Sequence, residues 1–399
     1  MLRSFNLDKT YYFLLLALAF LMPLTVFGGN LVVVAICTLW LISGEYKLKF
    51  NEIANSKLML ASIAFFILHL LGLAWTEDLD WGLHIVHKMW YFLGLFPILY
   101  TIVRKNNIRN YISAFLFAIS ITELCSYLVW FELIEPFKNA TVENPTPFMS
   151  HISYNPILAF AIYLVLHEIF FNKKLSNLIF STYSFFAISM TINMFITGGR
   201  AGQVTFFVML IILIFQIFDK QRIKSILTIF ILIPGIFFTA YQMSDLFQKR
   251  VDLAVVETMT YTDQTYTSVG LRLNFAINSF EVIKSHPIIG VGTGDFPNEY
   301  KKVNEINSPG LPNTSNPHNM FTLVLVQLGL VGLASMLLIF YYQIKLSYNS
   351  PLKLVRDAGI TLPLLYLVMM LSDSYLLGHY TSLMFVFFSA FLYKDFEKN

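Results

Sequence analysis

The chain has 399 residues, of which 56% are hydrophobic and only 13% charged, and its mean hydropathy is +0.64. Soluble domains carry about 25% charged residues, so the composition excludes a soluble enzyme and points to a polytopic membrane protein. The net charge of +3 gives no reason to expect a nucleic-acid partner, and the two cysteines, Cys37 and Cys125, lie in separate apolar runs, which argues against a disulfide framework or a zinc site.

Arg3 and Lys9 precede an apolar run that no small-residue cleavage site follows, so the run reads as a retained span and not as a signal peptide. Crossing a hydrocarbon core about 30 Å thick takes about 20 apolar residues. The runs that approach this are 11–27, 30–43, 56–75, 84–103, 108–134, 153–171, 177–197, 201–218, 223–241, 319–344, 358–377 and 379–393, twelve in all. The second and last are short. The stretch 11–43 has a re-entrant alternative broken at Gly28-Gly29, and the last two runs hinge at Gly378. The expectation is one all-α transmembrane domain over 1–399, with about 12 spans and one large loop at 242–317.

Every second connection is basic: Arg3 and Lys9; Lys47, Lys49 and Lys57; Arg104, Lys105 and Arg109; Lys173 and Lys174; Lys220, Arg222 and Lys224; Lys345, Lys353 and Arg356; Lys394 and Lys398. By the positive-inside rule these connections and both termini are cytoplasmic. The opposite set, with Asp78 and Asp80, the 135–152 loop, the turn at Arg200 and the 242–317 loop, is then extracytoplasmic. Within that loop Leu273, Ile277, Phe280 and Ile283 recur at helical spacing and predict an amphipathic helix, lying on the membrane or on the bundle and ending at His286-Pro287.

There is no P-loop, no His-Glu-x-x-His and no Cys-x-x-Cys, and Gly290-x-Gly292-x-Gly294 lacks the strand–helix context of a nucleotide fingerprint. The set that carries chemistry is Arg200, Arg272 and His318, all expected on the outer side. Guanidinium forks suit phosphate oxygens, and an imidazole takes a proton from a hydroxyl near neutral pH. Glycosyl transfer from a lipid diphosphate needs both. The plainer alternatives are surface anchoring for the arginines and helix capping for His318.

Lys88 at the outer end of the fourth run is a third candidate cation, with snorkelling as its alternative. Asp373 is a candidate to orient His318 or to bind sugar hydroxyls, and His151 is a further histidine on the same side. Asp78-x-Asp80 is better read as an acidic helix start than as a metal site, so no metal and no cofactor are expected.

Thr197-Gly198-Gly199-Arg200-Ala201-Gly202 resembles the Ser-Arg turn of the O-antigen ligase and polymerase family, with Gly199 where serine is usual. Gly270-Leu271-Arg272, then His286-Pro287-Ile288-Ile289-Gly290-Val291-Gly292-Thr293-Gly294-Asp295-Phe296, is similar to that family's Arg…His-Pro-x-x-Gly-x-Gly-x-x-Phe stretch. His318-Asn319 followed by Gly329-x-x-Gly332 is similar to its His-Asn…Gly-x-x-Gly helix.

The resemblance covers roughly 190–335. It implies an inverting, metal-independent membrane glycosyltransferase of the bacterial inner membrane with its active site facing the periplasm. Its donor is a glycan on undecaprenyl diphosphate and its acceptor a lipid A–core sugar hydroxyl. It further implies diphosphate contacts at Arg200 and Arg272 and a catalytic base at His318. The polymerase of the same family, whose acceptor is another lipid-linked repeat, stays open. So does transfer to a protein hydroxyl. From another class, a lipid-linked glycan transporter or flippase remains, although the internal repeat symmetry usual in transporters is not evident.

Overall fold

Most of the apolar runs form helices in the computed structural model, which describes residues 6–138, 140–260 and 266–396. Arg3 and Lys398 of the charge pattern lie outside the described residues. In chain order the helices are α1 (Leu7–Leu21), α2 (Val26–Ile42), α3 (Tyr46–Ala54), α4 (Lys57–Leu71), α5 (Leu79–Lys88) and α6 (Phe96–Ile102). Then come α7 (Ile108–Trp130), α8 (His151–Phe171), α9 (Asn177–Ile196), α10 (Arg200–Ile217), α11 (Arg222–Met243) and α12 (Asp245–Met259). The last are α13 (Ser268–Ser285), α14 (Phe296–Asn307), α15 (Met320–Tyr348), α16 (Lys353–Met369) and α17 (His379–Leu392). No strand occurs among the described residues, only an isolated bridge between Thr141 and Asn144.

Eight helical stretches are long and apolar enough to cross a membrane, or nine if the pair α2 and α3, bent by 113°, counts as one span. The expected twelve are not reached, because four of the runs fold as the helices α1, α2, α16 and α17, of 15, 17, 17 and 14 residues. At 1.5 Å per residue these are about 21–26 Å long, less than the ~30 Å core. The described residues of 242–317 form three helices where one was expected.

The chain folds as two compact units. The first comprises Met1–Ala35, Lys105–Asp252 and Pro351–Leu365. Its centre is α8, buried without interruption from Tyr154 to Val165 and packed against α9 and α10. A Cβ on Gly202 of α10 would lie 2.2 Å from the Asn155 Cβ, so this close crossing requires a glycine. By contrast, α11 buries only Ser225 and Ala240.

The second unit comprises Ile36–Arg104, Leu253–Ser350 and Tyr366–Asn399. Here α4 packs on α15, α6 on α17, and α13 on α14 and α15. An unbroken 29-residue α15 would be about 44 Å long, well beyond the core. It breaks at Gly329 (φ 60°), leaving a nine-residue segment from Met320 to Leu328 and a span of about 30 Å behind it.

The glycine-rich turn repairs that break. The carbonyls of Val326 and Gln327 accept from the N–H groups of Val291 (2.9 Å) and Gly292 (3.0 Å). The N–H groups of Leu330 and Val331, which an intact helix would have given those carbonyls, donate to Pro287 (2.9 Å) and Ile288 (3.2 Å). A Cβ on Gly290 would lie 2.4 Å from the Gln327 carbonyl carbon, and one on Gly329 would lie 2.3 Å from that of Ile288. The turn is therefore a packing device, which accounts for its glycines without a nucleotide.

The predicted amphipathic helix is α13, but its packed face is the reverse of the apolar one. Phe275, Asn278, Ser279 and Val282 are buried, while Leu273, Ile277 and Phe280 are exposed. The asparagines make the difference. Asn278 Nδ2 donates to Asn304 Oδ1 (3.0 Å), Asn274 Nδ2 to Tyr300 Oη (3.1 Å), and Ser308 Oγ to Asn274 Oδ1 (2.6 Å). A ladder of amides satisfies its hydrogen bonds by pairing with α14, and the apolar stripe stays exposed.

Candidate active site

His318 sits in a turn that its own neighbours build. Asn316 precedes Pro317, an order that favours a turn. Its Oδ1 accepts the His318 N–H (3.0 Å), which closes an Asx turn. His318 takes a left-handed backbone (φ 53°), uncommon outside glycine. Asn319 then caps α15 by accepting from Thr322 N–H (3.1 Å), and Met320 N–H donates to the Met370 carbonyl (2.9 Å).

The 370–378 segment supplies the carboxylate. His318 Nδ1 faces Asp373 Oδ1 at 3.4 Å and has no closer hydrogen-bond partner. The same oxygen accepts from Asn316 Nδ2 (2.7 Å) and from Ser374 N–H (2.7 Å), and Ser374 Oγ donates to Asn316 Oδ1 (2.8 Å). Burial pushes the Asp373 carboxyl upward, but the contacts from His318, Ser374 and Asn316 outweigh it and hold the group below the usual carboxylate range.

On its other side the imidazole stacks on Phe275, with centroids 6.0 Å apart and planes 26° from parallel. Nδ1 is buried while 34% of the side chain is exposed, so the accessible edge of the ring is the one away from Asp373. A carboxylate at Nδ1 places the proton there and leaves the Nε2 lone pair free to act as a base.

Arg272 lies one helical turn before Phe275, on the face of α13 that carries the histidine. It is exposed and has no carboxylate within ion-pair distance among the described residues. Burial pushes the Tyr375 hydroxyl, beside Asp373, up to about 12, and Arg272 acts on it in the opposite sense. In the second unit Arg272, His318 and Asp373 thus come together. Lys88 is not at the outer end of its span: the helical stretch Leu79–Ile102 starts two turns earlier, and Lys88 is about 14 Å along it. That early start is fixed by Asp295, which accepts from Thr76 Oγ1, Glu77 N–H and Asp78 N–H, each at 2.8 Å.

Arg200 and His151 belong to the first unit, where α8 and the Thr197–Arg200 turn meet. Asn144 links them: its Nδ2 donates to His151 Nδ1 (2.7 Å) and its Oδ1 accepts the Gly198 N–H (3.0 Å). A Cβ on Gly199 would lie 2.8 Å from the Asn155 side chain and 2.9 Å from the His151 carbonyl oxygen. This turn has no room for the serine usual there. Arg250, beyond the predicted set, brings its guanidinium to 3.4 Å from where a Gly198 Cβ would stand.

Asp78 caps α5 through Trp81 N–H (2.9 Å), and no cluster of three metal-ligating side chains occurs among the described residues. Asn316 and Phe275 are the residues that sequence reasoning missed. The Asn-Pro pair two residues before a histidine was a signal for the first. Nothing local marked the second.

The helices and their apolar composition define a polytopic membrane protein, and its second unit brings a broken helix, a histidine–carboxylate pair and an exposed guanidinium together. Residues 185–337 match the family model described as O-antigen ligase. The match includes Arg200, Arg272, His318 and the Gly329 break and stops before Asp373. A protein of Haemophilus influenzae described as uncharacterized is 26% identical over 400 residues, covering 95% of this chain and 96% of its own length.

Proposed function

We propose that this protein is an O-antigen ligase-type glycosyltransferase that moves a glycan from undecaprenyl diphosphate to a lipid A–core sugar hydroxyl at the periplasmic face of the inner membrane. The observation that carries the proposal is the His318–Asp373 pair, with Arg272 one helical turn from the Phe275 that stacks on His318; His318 and Arg272 lie inside the region matched by the family model. The Nε2 of His318 takes the proton of the acceptor hydroxyl. That oxygen attacks the anomeric carbon with inversion, and the bond to the diphosphate oxygen breaks. Arg272 offsets the charge on the leaving diphosphate with a bidentate contact, and Arg200 and Lys88 are further candidate cations. The imidazolium afterwards returns its proton to water. Both termini are cytoplasmic in this reading.

A strain lacking the protein tests it. Loss of a ligase leaves bare core lipopolysaccharide on a gel while lipid-linked polymer accumulates. Core capped by a single repeat would replace the ligase reading with the polymerase one. An unchanged gel pattern with impaired movement of lipid-linked glycan across the membrane would point to a flippase.

A further inference from the structure

One large cavity has no role in the chemistry above. It lies wholly in the first unit, holds about 890 Å³, and is bounded by α9, α11 and the start of α12. Its walls are apolar, because α11 stands off the bundle with only two buried residues. Along α11 it reaches from Met243 to Ile231, about 18 Å, close to the depth of one leaflet of a ~30 Å core. A second apolar chamber of about 540 Å³ shares Thr191, Ile192, Leu232 and Ile236 with its lining.

The mouth is different. Glu143, Asp245 and Lys249 line the end nearest the 242–317 stretch, beside Trp130. All three charged residues are exposed, and none is in an ion pair with a described residue. Two carboxylates against one ammonium disfavour a diphosphate-bearing lipid. They suit a head group with a cation at its tip and a phosphate below it.

We infer that this chamber binds one zwitterionic phospholipid of the ethanolamine type from the leaflet on the 242–317 side. Its chains lie against α9 and α11, its ammonium between Glu143 and Asp245, and its phosphate at Lys249. The site is distinct from that of the donor and does not depend on the glycosyltransferase reading.

Gly235 provides a clean test. It lines the chamber, and a Cβ built there meets nothing within 4 Å. Gly235→Phe should therefore fill the space without disturbing packing, and it replaces a poor helix former. Native mass spectrometry of the full chain in detergent, with dioleoyl phosphatidylethanolamine or dioleoyl phosphatidylglycerol added, reads occupancy. The wild type should retain one phosphatidylethanolamine per chain, preferred about tenfold over phosphatidylglycerol. Gly235→Phe should abolish that retention, and Glu143→Lys with Asp245→Lys should turn the preference toward phosphatidylglycerol. Equal retention of the two lipids by the wild type, or unchanged retention by Gly235→Phe, would overturn the inference.

Discussion

Two histidines in this protein open their helices in similar surroundings and end up as different chemical groups. His318 and His151 each lie at or just before a helix start, and each has an asparagine side chain in its turn. At His151 the asparagine takes the ring itself: Asn144 donates to Nδ1 and thereby occupies the lone pair on that nitrogen. At His318 the asparagine instead holds the backbone and a carboxylate, and the carboxylate faces Nδ1. An amide partner fixes a ring as a structural tie. A carboxylate partner leaves its far nitrogen basic.

The largest expected effect tests that contrast directly. A positioned base contributes about 10²–10⁴-fold, so His318→Ala should lose that much turnover with little change in donor binding, whereas His151→Ala should lose only a few-fold. Single-turnover transfer from a lipid diphosphate donor in detergent measures both. Near-normal turnover in His318→Ala, or a defect confined to donor binding, would make it a structural residue and move the base elsewhere.

Next in size are the arginines. Arg272→Ala and Arg200→Ala should each slow transfer about 10²-fold, the scale of a lost charge-stabilising donor. Lysine at either position should rescue only in part, because it lacks the guanidinium fork. Full rescue by lysine would reduce their role to bulk charge.

Asp373 gives a subtler signature. Its carboxyl is held below the ordinary value in the folded protein. The stabilisation this represents is complete above the unfolded-state value near ~3.9 and fades as the pH falls through the lower folded-state value. Melting temperature in detergent should therefore show this loss in the wild type only below about pH 4, and Asp373→Asn should lack that component. A loss in the wild type centred at pH 5 or above would mean that Asp373 is not so held.

Gly199→Ser should act on the other turn. Its Cβ would lie 2.8 Å from Asn155, a crowding worth about 1–3 kcal/mol. Stability should fall while turnover per folded molecule changes little. The smallest expected effect is that of chelator. If guanidiniums supply the charge, EDTA leaves transfer unaltered, whereas abolition reversed by magnesium or manganese would turn Asp78 and Asp80 from helix-start residues into ligands.

Much of this was legible in the sequence, and the reasons for the rest are physical. Arg200 and His318 stood out as candidates because charged or titratable groups at the ends of apolar runs are costly unless used, and Arg272 because it opens the helical repeat inside the 242–317 stretch. The α13 helix was readable from its 3.6-residue repeat. Which face it packs was not, because an asparagine ladder to α14 replaces apolar burial and periodicity counts only apolar residues. Phe275 and Asp373 lie 43 and 55 residues from His318 in the chain, a separation that no local pattern crosses. Span counting exceeds the number of long helices where apolar runs end in short ones: composition reports that a run is apolar, while the break at 22–25 (not at Gly28-Gly29, which lie inside α2) and the 370–378 segment decide how much of it stays helical.

The stitched break in α15 also sets the unit in which this protein can be recombined with its relatives. The turn at 286–292 contributes its backbone to another helix, at a crossing where neither chain can carry a Cβ. A chimera that exchanges the 242–317 stretch alone would join a turn from one parent to a gap shaped by the other. The smallest graft that keeps its own hydrogen bonds runs on through Val331 and takes the 72–82 segment with it, because Thr293 and Asp295 are tied there. Specificity drawn from this loop would then be inherited as a block and not residue by residue.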